Sequence, residues 1–165
     1  MGTPNIQQDQ AWGALAGVPE AERRNAMKQR YVEVARLPEA ELHARMLRMA
    51  HAEYALADAA LRTFTLSRLQ AWLELPEDSA RKISASYDAV MQKMSGQAAM
   101  RRVSMVQTLA RDFSAEDEAR LRVLVPGVLG ALPERQAAAK LSQPAPASAA
   151  RPEPAKKGIW PFRKK

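Results

Sequence analysis

The chain has 165 residues, a net charge of +7, no cysteine and 5% aromatic residues. Its length suits one domain and a tail, and the lack of cysteine excludes disulfides, thiolate zinc sites, iron–sulfur clusters and covalently attached c-type haem. Low Gly, abundant Ala, Glu, Arg and Leu, and no alternating β-branched run point to an all-α protein.

Taken from the start, MGTPNIQQDQAWG has neither a basic n-region nor an apolar h-region, so export is not expected. Ile6 stands where N-myristoylation of Gly2 would want Ser or Thr. No run approaches a membrane span. The longest nearly uncharged apolar stretch, 123–132, is interrupted by Pro126-Gly127. The absence of cysteine fits a reducing compartment, and the Ala/Arg/Leu bias suggests a bacterial cytoplasm, with the cytoplasmic face of a membrane as the alternative location.

From residue 18 a unit of nineteen residues recurs. Val18-Pro19, Leu37-Pro38, Leu56-Ala57, Leu75-Pro76, Met94-Ser95, Phe113-Ser114 and Leu132-Pro133 all fall in one phase. Pro is tolerated only in the first turn of a helix, where its missing N–H costs nothing, and Ser accepts from the orphan amides as an N-cap. Each pair therefore opens a helix. Acids follow at once (Glu20 and Glu22, Glu39 and Glu41, Glu77 and Asp78, Glu116 to Glu118), where the positive end of the helix dipole favours them. Ser114 with Asp117 approximates a capping box.

A helix advances about 100° per residue, so nineteen residues return the pattern roughly 100° out of phase and no single long helix keeps one apolar stripe. The spacing predicts about six short antiparallel helices in 19-residue repeats, solenoid-like or packed as a compact bundle. The weakest boundary is 54–61, YALADAAL, which has neither Gly nor Pro. If units two and three merge there, the architecture becomes a bundle of fewer, longer helices.

In chain order, Trp12 falls in the column of Tyr31 and Leu69 and is expected to cap the first full helix. The first helix, 19–35, buries Met27, Tyr31 and Val34; the second offers Leu42, Met46, Met49 and Tyr54; the third offers Leu61, Phe64, Leu69 and Trp72. The fourth turns Ile83, Tyr87, Val90 and Met91 inward. The fifth does the same with Met100, Val103, Val106 and Leu109, while Arg101 and Arg102 face water. The sixth, from Ala115 to Pro126, buries Leu121, Leu124 and Val125, and Val128, Leu129 and Leu132 close the array. The Leu-Pro-Glu punctuation at Leu37, Leu75 and Leu132 resembles the short-helix superhelical repeats of the cytosolic domain of magnesium transporters and of flagellar switch proteins. This resemblance covers the helical region at the level of a dipeptide and an acid, and it implies an array of short helices.

The reading divides the chain into a capping half-repeat (1–17), a helical repeat domain (18–139), a disordered Pro/Ala-rich linker (140–155) and a basic–aromatic docking segment (156–165). From Lys140 onward seven basic residues accompany one acid, a balance of +6 that leaves +1 for everything before it. The high pI thus belongs to the tail, and nucleic acid is an unfavoured partner for the folded part.

The terminal KKGIWPFRKK sets Ile159, Trp160, Pro161 and Phe162 between Lys156, Lys157, Arg163, Lys164 and Lys165. Large apolar side chains at the end of a spacer want a cover. They suit a docking peptide anchored by Trp, an interfacial foot on an anionic membrane, or a segment folded back on the helical body.

His43 and His51 stand eight apart, about 80° out of line on a helix, so a shared metal would need ligands from elsewhere. The methionines read as core packing rather than as an adaptable recognition surface. Arg23-Arg24 and Arg101-Arg102 read as solvated faces that could hold an acidic partner. There is no Gly-rich phosphate loop and no GxSxG. The expectation is a non-enzymatic adaptor or scaffold without cofactor or metal, bound to a protein partner and tethered to a larger assembly by its tail. The alternative is a peripheral membrane-associated regulatory or assembly factor anchored by the same tail.

Overall fold

Six helices start at intervals of nineteen residues: α1 (Glu20–Ala35), α2 (Glu39–Tyr54), α3 (Asp58–Leu73), α4 (Glu77–Met91), α5 (Gly96–Ala110) and α6 (Ala115–Leu124). A 3-10 turn at Gly13–Gly17 precedes them and a single turn, α7 (Pro126–Leu129), closes the series. They belong to a computed structural model in which residues 11–133 are described, with no strand among them. Residues 1–10 of the capping half-repeat, 134–139 at the end of the repeat domain, the linker at 140–155 and the docking segment at 156–165 lie outside the described residues.

Local chemistry sets each start. Pro19, Pro38 and Pro76 stand before their helices at φ of −51°, −55° and −53°, and Ala57, Ser95 and Ser114 take nearly the same angle, −63°, −63° and −61°. In every unit the carbonyl of this residue accepts the first helical bond, from Arg23, Leu42, Leu61, Ala80, Ala99 and Glu118 in turn. A position that needs only its carbonyl and an extended ψ is one that proline can fill. The serines add side-chain caps: Ala98 N–H donates to Ser95 Oγ at 3.2 Å, and Asp117 N–H to Ser114 Oγ at 3.1 Å.

The boundary at 54–61 is a true turn, so units two and three are separate helices. Its own residues carry no breaker. The turn is held instead from α5, where Arg101 donates to the carbonyls of Tyr54 (2.8 Å) and Leu56 (2.9 Å) and to Asp58 Oδ1.

Turns of three or four residues reverse the chain, and packing is densest between next-but-one helices, α1 on α3 and α2 on α4. The core follows the repeat columns: Met27, Tyr31, Met46, Met49, Leu61, Phe64, Leu69, Trp72, Ile83, Tyr87 and Leu121 are all essentially sealed. Trp12 is buried edge-on to Tyr31 and Phe64, with ring centroids 5.4 and 5.5 Å apart. Gly13 beside it lies against α2, where a Cβ would meet the Ala52 carbonyl oxygen at 3.1 Å. Arg23 fastens the entry from inside, donating to Ser67 Oγ (2.8 Å) and to the carbonyls of Ala16 and Val18 (3.2 and 3.0 Å).

One helix face departs from the sequence reading. On α5 the buried set is Ala98, Arg102, Val106, Leu109 and Ala110, while Met100 is 72% exposed and Arg102 only 7%. Of the expected inward set Met100, Val103, Val106 and Leu109, Val106 and Leu109 are buried, but Arg102 takes an inward seat, where α4 offers it a carboxylate and a ring. Met100, two residues away, is carried about 200° round the helix.

Because Ala57 already has the conformation of its proline counterparts, Ala57→Pro should stabilise the protein by about 0.5–1 kcal/mol through a less flexible unfolded chain. Urea unfolding should show a higher midpoint with an unchanged slope.

Candidate functional site

Charged groups reach the centre of this molecule. Where α2, α3 and α4 meet, Glu53, Arg68 and Tyr87 are 0%, 1% and 1% exposed. Arg68 Nη1 donates to Glu53 Oε1 and to the Tyr87 hydroxyl, and that hydroxyl donates to Glu53 Oε2 at 2.9 Å. The guanidinium carbon lies 4.4 Å from the ring centroid of Tyr87 and 5.3 Å from that of Trp72. Next to this set, Arg102 pairs with Asp88 and sits 5.3 Å from the Tyr87 ring. Edge-to-face contacts between Trp12, Tyr31, Trp72 and Tyr87, at 5.4, 6.2 and 5.5 Å, carry the stack from the first turn to α4.

An isolated buried charge would be untenable, so the partners define the site. Burial alone would pull the Arg68 pKa down, but the Glu53 carboxylate beside it wins and holds it well above its ordinary value. Burial raises the pKa of Tyr31, Tyr54 and Tyr87, with the Arg68 charge opposing it. This network is shut off from solvent and ties three helices together.

A second set of cations answers the helix ends. Lys82, Arg101 and Arg120 are nineteen residues apart, and each reaches the carboxyl end of the helix three units earlier. Lys82 Nζ donates to the carbonyls of Ala35 (2.6 Å) and Leu37 (3.1 Å), Arg101 to those of Tyr54 and Leu56, and Arg120 to that of Leu73 (2.6 Å). Orphan carbonyls and the negative end of the helix dipole are met by positive side chains. The arginine pairs expected to face water are engaged within the fold. Arg23 and Arg102 are buried, Arg24 pairs with Glu74 at 3.1 Å, and Arg101 is fully committed to α2 and Asp58, so neither pair stands ready for an acidic partner.

The surface carries two grooves built alike. The first, of about 620 Å³, lies between the start of α2 and the middle of α4; the second, of about 280 Å³, lies between the start of α4 and α6. Leu37, Glu39, Leu42, His43, Lys82, Ala85 and Ser86 of the first correspond, thirty-eight residues on, to Leu75, Glu77, Ala80, Arg81, Arg120, Val123 and Leu124 of the second. The larger Val123 and Leu124 narrow the second groove, and Val123 is 61% exposed at its edge.

Sequence reasoning named Ile159, Trp160, Pro161 and Phe162 with Lys156, Lys157, Arg163, Lys164 and Lys165, and all of these lie outside the described residues. His43 lines the first groove and His51 a separate hollow beside Arg101, so the two do not share a site. Among the described residues no group of three or more His, Asp or Glu side chains could hold a metal ion, and no helix is long and apolar enough to cross a membrane. Sequence reasoning missed the Glu53–Arg68–Tyr87 set and the Lys82–Arg101–Arg120 ladder. The ladder was legible as a column of bases at the repeat spacing; the buried set had no such signal. Comparison with known protein families, with curated proteins and with solved structures gives no match.

Glu53→Gln or Arg68→Met alone should each cost about 3–5 kcal/mol by leaving an unanswered buried charge, and the double variant should cost less than their sum. Denaturant unfolding of all four proteins closes that cycle. The tyrosines give a second test. An acid whose pKa is raised by folding binds its proton more tightly in the native state, so stability falls as pH rises above about 10. The phenolate absorbance of the three tyrosines should therefore develop together with loss of helical circular dichroism, not before it.

Proposed function

We propose that this chain is a non-enzymatic helical-repeat adaptor or scaffold that binds a protein partner through its array. In this reading the C-terminal KKGIWPFRKK tethers it to a larger assembly. The observation that carries the first half is the pair of congruent open grooves, one construction offered twice at a spacing of two repeats. Stacked repeats present such extended surfaces because each unit contacts its near neighbours and leaves one side clear. The polar groups with the most perturbed chemistry support the non-catalytic reading, since they are sealed inside the core.

The second half rests on composition. Ile159, Trp160, Pro161 and Phe162 form an apolar anchor, with Lys156, Lys157, Arg163, Lys164 and Lys165 as flanking electrostatic contacts. The same flanks with a tryptophan favour a second reading, a peripheral membrane-associated regulatory or assembly factor.

Affinity capture from the native cell with the full chain beside a form ending at Ala155 tests both halves. Partners of the array should be retained by the shorter chain, and at least one partner should disappear with the tail. Identical partners for both would remove the tether. Loss of the tail-dependent signal to anionic liposomes, with binding that fades in salt, would move the tail to the membrane reading.

A further inference from the structure

We infer that this chain forms a dimer by exchange, in which α1 and α2 leave their place against α3 to α6 and take the same place in a second copy. The hinge is the turn at 54–58, and opening it joins α2 and α3 into one continuous helix over 39–73. The exchange is independent of the adaptor reading. Three observations converge on it.

The first is the hinge itself. Among the described starts of α1 to α6, α3 alone opens with neither a proline nor a serine cap, and Ala57 stands there instead. Its neighbours Ala55, Leu56, Ala59 and Ala60 are all good helix formers. Ala55 already has helical angles, φ −76° and ψ −13°, and the extended Ala57, at ψ 156°, makes the break. Pro38 and Pro76 bar the same straightening at the turns on either side. Proline has no N–H to give and keeps the residue before it out of the helical conformation.

The second is the latch. Arg101 donates to the carbonyls of Tyr54 (2.8 Å) and Leu56 (2.9 Å) and, through two nitrogens, to Asp58 Oδ1 at 3.1 and 2.6 Å. A continuous helix gives those two carbonyls to the amides four residues on, at Asp58 and Ala60, so Arg101 and the joined helix compete for the same acceptors. Lys82 and Arg120 hold the corresponding carbonyls at turns where Pro38 and Pro76 already fix the break. At 54–58 the distant cation stands in for the missing proline. Its side chain is 25% exposed and that of Asp58 is 83% exposed, which puts the latch at the surface.

The third is what the exchange preserves. The apolar faces of α2 and α3 would lie about 100° apart on a joined helix, which cannot serve one core but can serve two, when each half lies against a different copy. Chain neighbours α2 and α3 touch little, whereas the dense packing of α1 on α3 and of α2 on α4 all crosses the hinge. Its contacts, Trp12 on Phe64, Arg23 to Ser67, and Glu53 with Arg68 and Tyr87, are remade unchanged between two copies. The surface that the partner recognises is the core itself, which a second copy of this chain fits by construction.

The test unfolds the full-length protein in urea, refolds it at a series of concentrations and resolves the products by size exclusion with light scattering. The parent should give a dimer whose share grows with the refolding concentration. Ala57→Pro, which fits the turn and breaks the joined helix, should lower the dimerisation constant about a hundredfold or more. Arg101→Gln should raise it on the order of a hundredfold, about tenfold for each of two latches. The chain has no cysteine, so R24C/E74C sets two thiols on opposite sides of the hinge, at a pair 3.1 Å apart in the monomer. Treated with a short bismaleimide, the isolated dimer should run as a covalent dimer under denaturing conditions. Linkage within one chain would mean ordinary association and would overturn the exchange. A chain monomeric at every concentration, or an Ala57→Pro dimer as abundant as the parent's, would overturn it as well. Should Arg101→Gln fail to fold by circular dichroism, the comparison of Ala57→Pro with the parent decides.

Discussion

A nineteen-residue unit cannot be threaded as one helix with a single apolar face, because each unit would arrive about 100° round the axis from the last. The chain stops instead, with one extended residue before each helix whose carbonyl receives the first helical bond. Every stop leaves carbonyls at the end of one helix and amides at the start of the next. Prolines, serines and first-turn acids answer the starts locally. The ends of α1, α2 and α3 are answered from three units away by Lys82, Arg101 and Arg120. The same short turns place chain neighbours side by side and press next-but-one helices together, which builds the continuous core.

Within that core the Arg68 charge has one tolerable setting. Glu53 from α2 and Tyr87 from α4 reach it together, and both are buried with it. Buried pairs often hold a fold no more tightly than apolar residues of the same volume. What the network does here is join three helices through one set of buried polar contacts. Arg102 and Asp88 extend the same logic toward α5 and account for the exposure of Met100.

Polar chemistry and open surface are separated in this molecule. The strongly coupled groups are sealed, while two of the accessible concavities are grooves between a helix start and the helix two units later, each with apolar walls and both a cation and an acid on its lining. A repeat array can offer the same groove more than once and tune each copy by single residues, as Ala85 and Ser86 against Val123 and Leu124 illustrate.

Much of the fold was legible because its determinants are local. Proline, serine and acids at fixed spacing mark helix starts, and columns such as Met27, Met46 or Tyr31, Leu69 mark the inward face, so the sequence by itself determined the repeat, its phase and most of the core. It could not decide the turn at Ala57, the burial of Arg102 or the exposure of Met100, since each depends on a group that folding brings from another unit. The Glu53–Arg68–Tyr87 network and the two grooves are of the same kind. A charge can be buried only where its counter-charge is delivered, and a groove exists only between helices already packed; both are set by contacts between units, which only the tertiary structure decides.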